Sequence, residues 1–195
     1  MKIHKIDFGL AKFFYQEFHR TNEPPVGHKA SYVGLVGDDW TFLSYVDIWD
    51  LPDGWLEDQH EEICIRADEA GDFCLYTKGQ IVGVCSIGRP VARWKDPGVY
   101  EITRICFNFW PKTNKEKKYF SKLIRTAIDD FKIFNPVSKF VTYIHDNQNG
   151  RYLEYAGFQK DKHIKYSKND KGWGSRENRA SSDLSSKYRL IREVA

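Results

Sequence analysis

Apolar positions along the chain follow two periods. Phe120, Leu123, Ile124, Ala127, Ile128 and Phe131 fall at i, i+3, i+4, i+7, i+8 and i+11, the stripe of one helical face. That helix opens at Asn114, behind the chain break at PKTN, and stops before Asn135-Pro136, because the residue preceding a proline is driven out of the helical region. A first helix is predicted over 7–19, with Asp7 as N-cap and Phe8, Ala11, Phe14 and Phe18 at helical spacing. YEITRICFNFW (100–110) and KFVTYIH (139–145) are rich in β-branched and aromatic residues and read as strands. FCLYTKGQIVGVCSIGR (73–89) reads as a hairpin turning at Lys78-Gly79, and NQNGRYLEYAGF as a turn, a short helix ending at Gly157 and the start of another strand.

The remaining segments read as connections. Pro24-Pro25 makes 21–29 a loop. Residues 38–70 read as an insertion and 167–187 as a Ser/Lys/Gly/Asn-rich tail. Helix, hairpin, strand, helix, strand, short helix, strand gives one α/β (α+β) domain: a mixed, mostly antiparallel sheet flanked by helices. The strand–PKTNKEKK–helix junction is a natural phosphate site, since free N–H groups and the helix dipole meet there.

Charge sharpens this picture. The net charge is only +3, but lysines and arginines concentrate in 112–122 and 160–192 while acids crowd 38–72. That distribution suits either two solvated faces of opposite sign or a phosphate-facing surface with the acidic region kept away from it. Cys64, Cys74, Cys85 and Cys106 form no CxxC pair and read as buried free thiols. No segment has the length and apolarity of a signal peptide or membrane span, so a cytoplasmic protein with no membrane partner is expected.

Several polar residues interrupt the apolar strands. Arg89 and Arg93 flank Pro90 at a strand end, where arginine forks bind phosphate or pair with Asp96 or Glu101. Glu101 and Arg104, three apart on a strand, are expected on opposite faces. Glu101 is either a base for an amine or half of a structural ion pair. His28 follows Gly27 in a proline-stiffened loop, and His19 ends the first helix. Both are weak metal candidates, for iron or zinc, without ligand spacing. Tyr143 shares a strand face with His145. Trp173, Arg176, Arg179, Lys187 and Arg189 form a basic tail with one aromatic, suited to stacking on a base or packing on the sheet.

HRTNEPPVGHK (19–29), GVCSIGRPVAR (83–93), YEITRIC (100–106), Asn114 entering a helix, FVTYIHD (140–146), AGF (156–158) and the stretch from Trp173 to Arg189 occur in this order. Together they resemble the Mom family of phage DNA adenine-modification proteins, a branch of the GNAT (N-acetyltransferase) superfamily. The resemblance implies a GNAT-like sheet whose strand at 100–109 splays from that at 139–145 to form a cofactor cleft. It implies an acetyl-CoA-type donor held by Ile105, Cys106, Asn114, Lys115 and Lys117. It also implies a flipped-out adenine in DNA whose N6 amine takes an acetamido-type (carbamoylmethyl) group, in an anti-restriction role encoded by a phage or mobile element. Glu101, His28, Tyr143 and Arg104 would surround the amine. Arg89, Arg93, Lys29, Trp173, Arg176, Lys187 and Arg189 would hold the DNA, and iron would assist the rearrangement. Two departures are visible: KTNKEKK lacks the glycines of the usual GNAT pyrophosphate loop, and Leu153 stands where many GNAT enzymes place a tyrosine. A conventional acetyltransferase of a protein, tRNA or small amine, and a non-catalytic nucleic-acid-binding domain, are the alternatives.

Overall fold

The computed structural model describes residues 1–18, 27–45, 62–67, 70, 72–90, 94–108, 113–165 and 186–194. In chain order the elements are β1 (Lys2–Ile6), α1 (Phe8–Phe18), β2 (His28–Tyr45), β3 (Ile63–Ala67), β4 (Phe73–Gly88), β5 (Val99–Phe107), α2 (Asn114–Phe134), β6 (Lys139–His145), α3 (Arg151–Tyr155), β7 (Gln159–Ile164) and β8 (Lys187–Glu193). The strands form one sheet in the order β1-β2-β4-β5-β6-β8-β7, with β3 paired to β4. Among the described residues every pairing is antiparallel except β5 with β6. This is the mixed, mostly antiparallel sheet expected.

Alternation along the strands divides the core in two. Tyr32, Cys85, Ile87, Ile102, Phe140 and Leu190 pack under α2 and α3. Val33, Val84 and Cys106 pack under α1. Every residue of the predicted α2 stripe is buried. Asp7 caps α1 as expected, its Oδ1 accepting from Leu10 N at 2.9 Å. Gly157 ends the α3 turn at φ 91°, a conformation glycine adopts without strain.

Four expectations change. The segment 73–89 is one continuous strand, not a hairpin. Gly79 (φ 98°) lies against Gly37 (φ 100°), and the register slips between Val36 and Trp40, so the glycines kink the pair instead of reversing it. The supposed insertion supplies sheet: Trp40 to Tyr45 continue β2 and Ile63–Ala67 is β3, while 46–61 lie outside the described residues. The basic tail ends in β8, an inner strand with Leu190 fully buried. Finally, β1 is an edge strand not foreseen in the sequence.

Candidate active site

The expectation that Glu101 and Arg104 face opposite ways is overturned. Ile87 pairs with Ile102 and Ser86 with Arg104, so Thr103 is an extra residue in a β-bulge. A bulge inserts one residue and resets the alternation. Ile102 still faces α2, whereas Glu101 and Arg104 both belong to the α1 face. A second irregularity at Lys29 does the same in β2, leaving Lys29 exposed.

These two bulges set up parallel rows on the α1 face. His28 is opposite Gly88, and Gly88 opposite Glu101. Ser31 is opposite Ser86, and Ser86 opposite Arg104. Directly opposed residues share a face, so His28 and Glu101 flank a glycine across two strand spacings, about 10 Å between backbones. Gly88 is required here: a Cβ would lie 2.5 Å from Gly27 O and 3.0 Å from Thr103 Cγ2. Gly27, at φ 70°, accepts from Arg89 N at 2.8 Å and so anchors the start of β2 beside the site. Arg89, just beyond β4, and Lys29, which follows His28 in β2, are both exposed at this end of the strand pair.

Glu101 is 7% exposed and pairs in register with Val141 of β6. Tyr143, two residues on, lies on the same face. Burial first, then the nearby negative charge of Glu101, holds its phenol above the ordinary tyrosine range, with Arg189 opposing. Arg189, opposite Tyr143 in β8, is ion-paired with Asp161 and stacks 5.1 Å from the Trp94 ring centre. The His28 ring packs tilted against Phe8, with centroids 4.5 Å apart, and its burial lowers the imidazole pKa against the opposing charge of Asp7. That shift favours the neutral ring, the form that can act as a base.

Beside these rows β5 and β6 part. Their pairing covers only Val99, Tyr100 and Glu101 with Lys139, Phe140 and Val141, followed by one link from Thr142 Oγ1 to Ile102 O at 3.1 Å. The predicted splay is present. At its far end Phe107 stacks on Phe120 with centroids 3.7 Å apart, and Tyr152 meets Phe107 edge-on at 5.2 Å. Burial pushes the Tyr152 phenol up to about 12. The neighbouring Leu153 is fully buried in the core. Helix α2 opens at Asn114 directly after β5.

The cofactor expectations divide. Ile105 packs toward α2. Cys106 does not share that side: its thiol is in the α1-side core, pushed up to about 11 by burial. Strand alternation turns it away from Ile105. The side chains of Asn114, Lys115 and Lys117 lie outside the described residues, as do His19, Arg93, Trp173 and Arg176. Lys187 and Arg189, expected in a loose tail, are held in β8. The metal expectation finds no support: among the described residues no group of three or more His, Cys, Asp or Glu could hold an ion. Among those residues, too, no helix is long and apolar enough to cross a membrane. Sequence reading missed Tyr15, Ser31 and Ser86, which are buried at the centre of the polar face; single serines in apolar strands carry no periodic signal.

An antiparallel sheet that opens beside one short parallel contact, with a long helix entering from the opened strand, defines an N-acetyltransferase-like (GNAT-like) fold. Among solved structures, the chain is similar to an IAA acetyltransferase from Bacillus cereus over 99% of both chains, at 14% identity and a TM-score of 0.51. It is also similar to an aminoglycoside acetyltransferase crystallised with coenzyme A, at 15% identity and a TM-score of 0.43, over 62% of this chain and 64% of that one. A ribosomal-protein-alanine N-acetyltransferase from Brucella melitensis matches at 12% identity and a TM-score of 0.43, over 60% and 64% of the two chains. The chain thus spans under two thirds of the latter two proteins. No family model matches the chain, and no curated protein sequence matches it.

Proposed function

We propose that the chain is an acyl-CoA-dependent N-acyltransferase whose acceptor amine sits on the α1 face between His28 and Glu101. The observation that carries this reading is the in-register row His28–Gly88–Glu101, placed where β5 and β6 separate. The cleft admits the acyl-thioester arm, and the N-terminus of α2 receives the pyrophosphate. The amine attacks the acyl carbonyl, its proton passes to His28, and the thiolate leaves. Glu101 orients the amine by accepting an N–H bond, while Tyr143, kept protonated by burial and by Glu101, donates to the departing sulfur. Arg104 lies on the same face. The fold shared with the Bacillus cereus acetyltransferase supports a coenzyme A donor.

For the acceptor, the reading is the exocyclic N6 amine of adenine in DNA, in the protective role that the Mom-like motifs imply. It is supported by the resemblance and by the exposed cations Lys29 and Arg89 at the same end of the β2–β4 pair as His28, where phosphates would be met. An adenine reaches such a site only when flipped from the stack. An acetyl group carries no amide nitrogen, so direct transfer gives an N-acetyl product, and an acetamido-type product needs a further step. The competing acceptor is a small or protein amine, the substrate type of the aminoglycoside and ribosomal-protein enzymes of this fold.

Mass analysis of nucleosides from bacterial cells expressing the protein tests the DNA reading. A new deoxyadenosine mass is expected, lost in Arg89→Ala and Glu101→Ala variants that stay folded by circular dichroism. Unchanged nucleosides, together with free-thiol release from acetyl-CoA on a panel of amines, would replace DNA by a small or protein acceptor. No thiol release with any acceptor would reject the transferase itself.

A further inference from the structure

A hydrogen-bonded chain runs from His28 into the protein. Its Nε2 meets Ser31 Oγ at 2.8 Å, Ser31 Oγ meets Ser86 Oγ at 2.5 Å, and Ser86 Oγ meets the Tyr15 hydroxyl at 2.8 Å. The last member donates to the carbonyl of Arg104 at 3.4 Å. Tyr15, Ser31 and Ser86 are each fully buried. They come from α1, β2 and β4, so only the tertiary fold assembles them.

Two features limit what this chain does. The Arg104 carbonyl accepts a hydrogen bond but takes no proton, and burial raises the Tyr15 phenol well above its ordinary range. Each hydroxyl also has a single hydrogen, so the chain has two polarities. In one, His28 Nε2–H donates to Ser31, and each hydroxyl donates onward to the Arg104 carbonyl. In the other, Tyr15 donates toward His28 and Nε2 accepts. Only the first is compatible with an imidazolium, which carries hydrogen on both nitrogens, and it alone satisfies the Arg104 carbonyl contact. Among the described residues His28 Nδ1 has no hydrogen-bond partner.

We propose that Ser31, Ser86 and Tyr15 are positioning residues that hold His28 as the Nε2–H tautomer, so that Nδ1 carries the lone pair that takes a proton. The chain is set beforehand in the polarity the protonated ring needs, and no hydroxyl has to reorient during proton transfer. The catalytic consequence rests on the N-acyltransferase reading above; the tautomer itself does not. Asp7, at the start of α1, is the charge that acts on the ring; the elements packed around it also carry Lys29 in β2, Arg89 just beyond β4, and Glu101 and Arg104 in β5.

The test is nitrogen NMR of the full chain labelled with ¹⁵N-histidine, with His28→Gln assigning the His28 signals among the six histidines. Above its titration His28 is expected as Nε2–H with a bare Nδ1. Ser31→Ala removes the acceptor, so the tautomers mix and the ring titrates at lower pH, because the imidazolium loses a bond. Tyr15→Phe deletes one oxygen at constant shape and moves both readouts in the same direction. An Nδ1–H wild type, or Ser31→Ala with tautomer and titration unchanged, overturns the proposal. In thiol release from acetyl-CoA with the best acceptor, Tyr15→Phe and Ser86→Ala are expected to lower kcat on the order of tenfold, with KM for acetyl-CoA unchanged. Full turnover alongside a mixed tautomer removes the positioning role. The expected tautomer in a wild type that acylates nothing rejects the transferase reading and leaves the hydroxyl chain standing.

Discussion

Gly88→Ala is expected to damage both the fold and the site. The new Cβ would lie 2.5 Å from Gly27 O, 2.9 Å from Gly27 C and 3.0 Å from Thr103 Cγ2. Two of these atoms are backbone and cannot rotate away. Merely reaching 3.0 Å from the oxygen demands a displacement of about 0.5 Å, in the loop whose carbonyl accepts from Arg89 N. Overpacking of this kind costs about 1–3 kcal/mol, and a chain of this length loses roughly 2–4 °C in Tm per kcal/mol. The expected fall is therefore roughly 2–12 °C by circular dichroism. The same displacement separates His28 from Glu101, and a misplacement of about 1 Å can cost on the order of 10²-fold in rate, read as thiol release. Gly34→Ala is the control, because its Cβ meets ordinary contacts of 3.5 Å or more, and it should leave Tm within about 2 °C. A Gly88→Ala protein with unchanged Tm and rate would refute the claim that this glycine sets the spacing of the site.

Three further outcomes are expected. Glu101→Gln removes the negative charge beside Tyr143, so this phenol should ionise at lower pH in an ultraviolet titration, and Arg189→Met should move it upward; no change in either variant would separate Tyr143 from both groups. Leu190→Ala, in a fully buried position of β8, should destabilise the protein by about 2–5 kcal/mol in urea unfolding; a loss below about 0.5 kcal/mol would remove β8 from the core. Asn114→Ala combined with Lys117→Ala should weaken coenzyme A binding in calorimetric titration, and unchanged affinity would move the pyrophosphate away from the start of α2.

The elements most legible in the sequence were those whose burial is periodic. The α2 stripe from Phe120 to Phe131 was read from its helical period and the strand at 139–145 from its β-branched and aromatic content, and neither needed a partner to be read. The Asp7 cap and the Gly157 turn were equally local. The splay of β5 from β6 was expected from the strand–Asn114–helix–strand order of a GNAT-like sheet. What stayed hidden depends on pairing. KYRLIRE carries four charges in seven residues and shows its single fully buried position, Leu190, only between β6 and β7. Gly79 looks like a turn until Gly37 lies opposite it. The site divides in the same way. The sequence singled out Glu101, Arg104 and Tyr143 on strands and His28 in a proline-stiffened loop, but placed Glu101 and Arg104 on opposite faces. Only the register against β4 shows Thr103 bulged, and a bulge is a property of two strands, not one. Ser31, Ser86 and Tyr15 are ordinary core positions in one dimension. Three separate elements must pack before their hydroxyls fall within hydrogen-bonding distance, and no local pattern encodes that meeting.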